Sequence, residues 1–219
     1  MPRRPLLLPA VLVGLVGVLS PPAVAETTSA RALLSRLPVA AESGATTYER
    51  AAFRHWSDVD GDCRSTRAEV LAAESRVAVT YTSSSGCTVA TGRWYSYYDG
   101  LTWTVAGDVD VDHVVALKEA WESGARSWTA SRRERYANDL AYGRSLVAVT
   151  DDVNASKGDR DPAQWLPPRS AAQCRYATTW VLVKYRWRLS IDAAERDRLA
   201  SLLSGDCGAA VVTVPPRAA

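Results

Sequence analysis

The sequence predicts an α+β domain, and three observations carry that expectation. Aromatic and β-branched residues flank the turn dipeptide Asp99-Gly100, as a β-hairpin requires. Tyr176, Trp180, Val183 and Trp187 recur at the spacing of one helical face. The cysteines, Cys63, Cys87, Cys174 and Cys207, form an even set that can staple such a domain through two disulfides.

The chain opens with Arg3 and Arg4, an apolar run from Leu6 to Leu19, then Pro21-Pro22 and Ala23-Val24-Ala25, the order of a secretory signal peptide cleaved before Glu26. Residues 1–25 are therefore set aside, and residues 26–219 are read as one secreted, extracellular domain. The apolar run is broken by Pro9 and falls short of the roughly 20 residues of a bilayer span, so stable membrane association is not expected. The Arg pair fits both a twin-arginine signal and an ordinary basic leader, which leaves the export route open. In an oxidising compartment, cysteines without a Cys-x-x-Cys pair point to disulfides rather than zinc. Of the three possible pairings, Cys63 with Cys87 and Cys174 with Cys207 is favoured, because each joins neighbouring segments and leaves the middle of the chain unbridged. The net charge is +2, and losing Arg3 and Arg4 brings it near zero, so a polyanion must be held by a local patch.

A helix is expected from Ser29 to Leu37, ended by Pro38, and a second over Tyr48 to Trp56. The acidic loop from Ser57 to Ser65 precedes a helix from Thr66 to about Ser75, a strand from Val77 to Thr82 and a turn from Ser83 to Gly86. The hairpin occupies Arg93 to Tyr98 and Leu101 to Val105, and a strand from Val109 to His113 follows closely. Leu117 to Ser123 reads as a helix stopped by Gly124, and Ser131 with Glu134 as a capping box for a helix reaching about Tyr142. A brief strand, Leu146 to Val149, turns through Thr150 to Asp152 into a short helix beginning near Val153. Pro162 and Pro167-Pro168 impose irregular chain. The Trp180 face is assigned to the core, Asp192 and Glu195 cap a last helix, and the stretch after Cys207 reads as a loose tail.

The chemistry concentrates in two segments. Asp110-Val111-Asp112-His113-Val114-Val115-Ala116-Leu117 ends one strand, and Thr150-Asp151-Asp152-Val153-Asn154-Ala155-Ser156-Lys157-Gly158-Asp159 follows another. Strand, connection, strand and short helix make a ββα unit in which Asp112 and the amide oxygen of Asn154 can converge on one hard divalent cation. Mg²⁺ is the expected ion, with Mn²⁺ or Ca²⁺ as alternatives. His113 is the side chain whose ordinary pKa suits deprotonation of water near neutral pH. Lys157, one turn beyond Asn154, is placed to meet a phosphate oxygen, and Arg67 is expected to point into the same cleft.

These segments resemble those of HNH (His-Asn-His, ββα-metal) endonucleases, specifically the secreted bacterial HNH endonuclease family proteins, with a more distant likeness to the nuclease part of modification-dependent restriction enzymes. The likeness is strongest from about Arg93 to Pro168, and Asp60-Gly61-Asp62-Cys63-Arg64-Ser65-Thr66-Arg67 and the later cysteines share it. It implies an HNH core at about residues 93–168, wrapped by helices. It further implies Asp112 and Asn154 as metal ligands, His113 as general base and Asn138 as the middle asparagine that braces the loop, with Lys157 in the Asn-x-x-Lys-Gly ending. Ala116 departs from the family, whose members commonly have Pro in the His-x-x-Pro step. The function implied is metal-dependent hydrolysis of DNA, with RNA as a further substrate, and a monomer is expected. Low sequence specificity is expected, since no zinc finger or helix-turn-helix is evident.

Other readings stand beside it. A catalytically silent module holding metal or cell-wall polymer, or a phosphodiesterase for a non-nucleic substrate, would use the same frame. Asp58, Asp60, Asp62 and Glu69 fit the first, third, fifth and twelfth places of a calcium loop, but Cys63 stands where that loop needs Gly. Asp108 and Asp110 share the face of Asp112, and His55 reads as a packing or capping residue. Arg126, Arg132, Arg133, Arg135, Arg144, Lys184, Arg186 and Arg188 offer a track for a phosphate backbone, although such runs on helices are more often plain solvated faces.

Overall fold

Alternating β-branched and polar residues make Val109–His113 a strand, and in the computed structural model, which describes residues 25–219, it pairs antiparallel with Leu146–Thr150. The register sets Asp110 opposite Val149 and Asp112 opposite Val147. The expected signal peptide falls almost wholly outside the described residues.

In chain order the elements are β1 (Thr27–Ser29), α1 (Ala30–Leu34), α2 (Thr66–Glu74), β2 (Thr80–Tyr81), β3 (Val89–Tyr95), β4 (Thr102–Val105), β5 (Val109–His113), α3 (Leu117–Glu122), α4 (Ala130–Ala137), β6 (Leu146–Thr150), α5 (Asp151–Lys157), α6 (Ser170–Trp187), α7 (Ala193–Leu202), α8 (Gly205–Ala209) and β7 (Val211–Thr213). Strands β2, β3 and β4 form one antiparallel sheet, β5 with β6 a second, and β1 with β7 a third.

The β5–β6 ribbon separates two apolar clusters. Val109, Val111, Leu146 and Ala148 pack with Leu71 of α2 and Trp94 of β3. Val147 and Val149 belong to the larger cluster around α6, where Tyr176, Trp180 and Trp187 are buried as their helical spacing implied. Helix α5 follows β6 with no intervening loop, because Thr150 turns the chain directly into the helix. Asp192 and Glu195 form the capping box of α7. The disulfides are Cys63–Cys87 and Cys174–Cys207, with Cα separations of 5.2 and 5.7 Å. Among the described residues no helix is long and apolar enough to cross a membrane.

Four local expectations are corrected. Residues 48–56 are not a helix: only 3-10 turns occur nearby, at Ala45–Thr47 and Arg50–Ala52. Tyr48 and Phe53 turn inward to pack edge-on against Trp121 and Tyr136, a tertiary demand that overrides local propensity. The strand expected over 77–82 contracts to Thr80–Tyr81. Helix α4 is capped by Thr129, not Ser131, and stops at Ala137, because Glu134 reaches across to Ser57 and the Asn138 side chain takes the Glu134 carbonyl. The segment after Cys207 is no loose tail. It forms α8 and β7, and β7 pairs with β1 through Thr27↔Thr213.

Candidate active site

Asp112 and His113 are consecutive at the end of β5, so their side chains leave opposite faces of the strand. Both nevertheless border one cavity of about 310 Å³, with Arg50, Ala116, Asn154, Gly158 and Asp159. The strand's last residues bring them there, and α5 brings Asn154.

His113 is held on three sides. Its Nε2 lies 2.9 Å from the Ala137 carbonyl, which can only accept, so Nε2 carries the hydrogen and Nδ1 is the basic nitrogen. Trp56 stacks on one side of the ring at a centroid distance of 5.3 Å, and Tyr136 lies nearly parallel to it at 6.4 Å. Burial pushes the imidazole pKa down to about 3; the Ala137 carbonyl opposes that shift, and the positive charge of Arg50 adds to it. The ring is therefore neutral, with a free lone pair, at neutral pH. Trp56 adopts a left-handed backbone, φ 61°, which a bulky residue keeps only under constraint.

Asp112 sits in a tight polar box. Tyr98 donates its hydroxyl to Oδ2 at 2.6 Å, and Lys157 donates to Oδ1 at 2.8 Å and to the His113 carbonyl at 2.9 Å. Burial pushes the Asp112 carboxyl upward, while Lys157 and Tyr98 pull it down. Each oxygen keeps a second lone pair for a further partner.

Asn154 donates its Nδ2 to Asp110 at 2.9 Å, which leaves the amide oxygen as the free end of that side chain. Asn138 uses its full bonding capacity. Its Oδ1 accepts from the Ser57 N–H and the Thr66 hydroxyl, and its Nδ2 donates to the Arg54 and Glu134 carbonyls. It thereby ties residues 54–57 to the end of α4, next to the Ala137 carbonyl that holds His113.

Two residues expected at a phosphate stand elsewhere. Lys157 has no exposed surface, because the buried Asp112 carboxylate needs a counter-charge and the helix spacing delivers it. Arg67 donates to the carbonyls of Ala106 and Val109, closing the turn into β5 rather than entering the cavity. The basic track also thins out. Lys184 is enclosed between Glu119 and Glu195, Arg186 is paired with Asp139, and Arg133 donates to the Ala52 and Trp128 carbonyls. Asp58, Asp60 and Asp62 are exposed, and their oxygens accept from amides of their own loop. His55 meets the Phe53 carbonyl and the edge of Trp56.

Sequence reasoning missed Arg50, Trp56 and Tyr98. Tyr98 lay inside the hairpin as an ordinary strand aromatic, and only the fold shows that it reaches Asp112. Trp56 and Arg50 lay in a segment read as helix.

A family model described as GmrSD restriction endonucleases, C-terminal domain, matches residues 65–202, from the N-cap of α2 to the end of α7. An uncharacterized secreted protein of Arthroderma benhamiae is 43% identical over 185 residues, which cover 84% of this chain and 88% of the relative. That relative is fungal, where the sequence pointed to secreted bacterial proteins. No solved structure matches the chain. The chain belongs to the family of the GmrSD restriction endonuclease C-terminal domain, and so to a family of nucleases.

Proposed function

We propose that the mature chain is a secreted endonuclease of the His-Asn-His type that hydrolyses DNA, with RNA as a second substrate class, at low sequence specificity. The observation that carries this reading is the meeting of His113, Asp112 and Asn154 at one cavity. Export is supported by the two disulfides and by the secreted relative.

A divalent cation fits the donors present. Asp112 offers carboxylate oxygens with unfilled lone pairs, and Asn154 offers an amide oxygen whose orientation is set by its bond to Asp110. An all-oxygen set suits Mg²⁺ and, after it, Mn²⁺ or Ca²⁺. Bound by Asp112 and Asn154, such an ion supplies Lewis-acid stabilisation of charge on the phosphate and on the departing oxygen.

The chain's own residues do the rest. Nδ1 of His113 takes a proton from a water molecule as the water oxygen bonds to phosphorus, one P–O ester bond breaks, and the departing oxygen is protonated from solvent. The Ala137 carbonyl holds the ring in the tautomer with Nδ1 free and stabilises the imidazolium that forms. Trp56 and Tyr136 fix the ring plane. Asn138 anchors the chain beside that carbonyl, and Lys157 and Tyr98 hold Asp112 in place.

The test is digestion of supercoiled plasmid by the mature protein in Mg²⁺, with and without chelator, beside His113→Ala. The wild type is expected to nick and degrade the plasmid. Chelator should stop it, and the variant should lose roughly 10²- to 10⁴-fold in rate with its fold intact. A plasmid left whole in Mg²⁺, Mn²⁺ and Ca²⁺ alike rejects the proposal.

A further inference from the structure

With Lys157 and Arg67 committed to internal partners, neither is free to meet a substrate at the cavity beside His113. A phosphodiester carries one negative charge. The carboxylates at or beside the cavity are Asp112, Asp110 and Asp159, and Lys157 neutralises only the first. With the divalent cation proposed above these charges roughly cancel, so a further positive group is what gives the site a net attraction for the phosphate.

Arg50 answers that need. Among the described residues it is the one cationic side chain lining the cavity, it is exposed, and it forms no ion pair. Its backbone is well anchored. It opens the turn Arg50–Ala52, whose Ala52 carbonyl accepts from Arg133 of α4, and Phe53 behind it is fully buried against Trp121 and Tyr136. The Arg54 carbonyl in turn accepts from Asn138. The backbone that carries Arg50 and the carbonyl that orients His113 thus hang from the same helix, so the guanidinium is tethered within reach of the cavity that the imidazole borders. A planar guanidinium offers two parallel donors to the non-bridging oxygens of a phosphate.

We propose that Arg50 receives the substrate's phosphate, donating to a non-bridging oxygen of the phosphodiester while His113 faces the attacking water. This rests on the nuclease reading, but it also makes a claim about binding alone.

The test compares wild type, Arg50→Ala, Arg50→Lys and His113→Ala in two assays. One is plasmid cleavage resolved into kcat and KM. The other is calorimetric titration of each Mg²⁺-equilibrated protein with inorganic phosphate as the probe. Arg50→Ala is expected to lower kcat/KM roughly 10- to 100-fold and to weaken phosphate binding by a similar factor, the range of a lost charge-assisted bond. Arg50→Lys should restore part of both. His113→Ala should lose turnover yet bind phosphate within about threefold of wild type, and the thermal midpoint of Arg50→Ala should stay unchanged because the side chain is exposed. Arg50→Ala binding phosphate as the wild type does overturns the proposal. A wild type that cuts nothing, yet binds phosphate through Arg50, rejects the nuclease reading and supports the Arg50 site.

Discussion

Lys157 shows how a single side chain can serve a site from beneath it. Its ammonium has no contact with solvent and joins Asp112 to the His113 carbonyl, so the two consecutive residues of the candidate site share one buried anchor. Removing one partner of such a pair strands the other's charge in a medium that cannot solvate it, at about 3–5 kcal/mol. Lys157→Met is therefore expected to lose about that much stability in urea denaturation. A loss under about 1 kcal/mol would mean that water reaches Asp112 and that the anchor is not buried as described. At this scale the sequence is legible where a short segment carries its own pattern. Asp112 and His113 in one such segment and Asn154 in another stand out by type and order, and the fold brings all three to one cavity. Their supporters were hidden, because Tyr98, Trp56 and Arg50 come from other segments and no local pattern marks an aromatic that will stack on an imidazole.

Among the elements, those whose boundaries depend on local chemistry were the readable ones. β5 and the hairpin follow side-chain alternation and a turn dipeptide, and α7 follows its capping box. The misread stretch at 48–56 and the tail depend on partners far along the chain, namely Trp121, Tyr136 and β1. The step from β5 into α3 offers a test of element design. Ala116 caps α3 with φ −57°, inside the window that a proline ring imposes, and its N–H donates to no described residue. Ala116→Pro should therefore raise stability by about 0.5–1 kcal/mol through a less free unfolded chain. A lower denaturation midpoint would show that the ring meets a neighbour or that Val115 cannot take the extended form a following proline demands.

For the whole molecule, burial of charge sets the response to pH. Lys184 lies fully enclosed between Glu119 and Glu195, at 2.5 and 2.8 Å, so two carboxylates share one ammonium. Burial pushes the Glu195 carboxyl up to about 7, against the pull of Lys184, while Glu119 is held low by Lys184 in spite of its own burial. Glu42, facing Glu119, is pushed up to about 8, by burial first and then by that neighbour. Both raised groups bind a proton in the folded state at a pH where the unfolded chain has released it. Their contribution to stability is therefore whole below the ordinary carboxylate range and declines as pH rises towards 7 and 8. Thermal midpoints should fall between about pH 5 and pH 8, and Glu195→Gln should flatten that fall. A midpoint that climbs over this interval, or a variant that keeps the wild-type slope, contradicts proton uptake by these raised carboxyl groups. The disulfide pairing was readable at this scale because neighbouring segments close short loops, whereas the separation of two cores by one ribbon was not.

The β1–β7 ribbon has a consequence for the order in which the molecule comes together. A chain synthesised from its amino end delivers residues 27–29 long before their partners at 211–213. Strand β1 has to wait, without its partner, until the intervening residues 30–210 have been made. Closure of this ribbon is thereby timed by the arrival of residues 211–213.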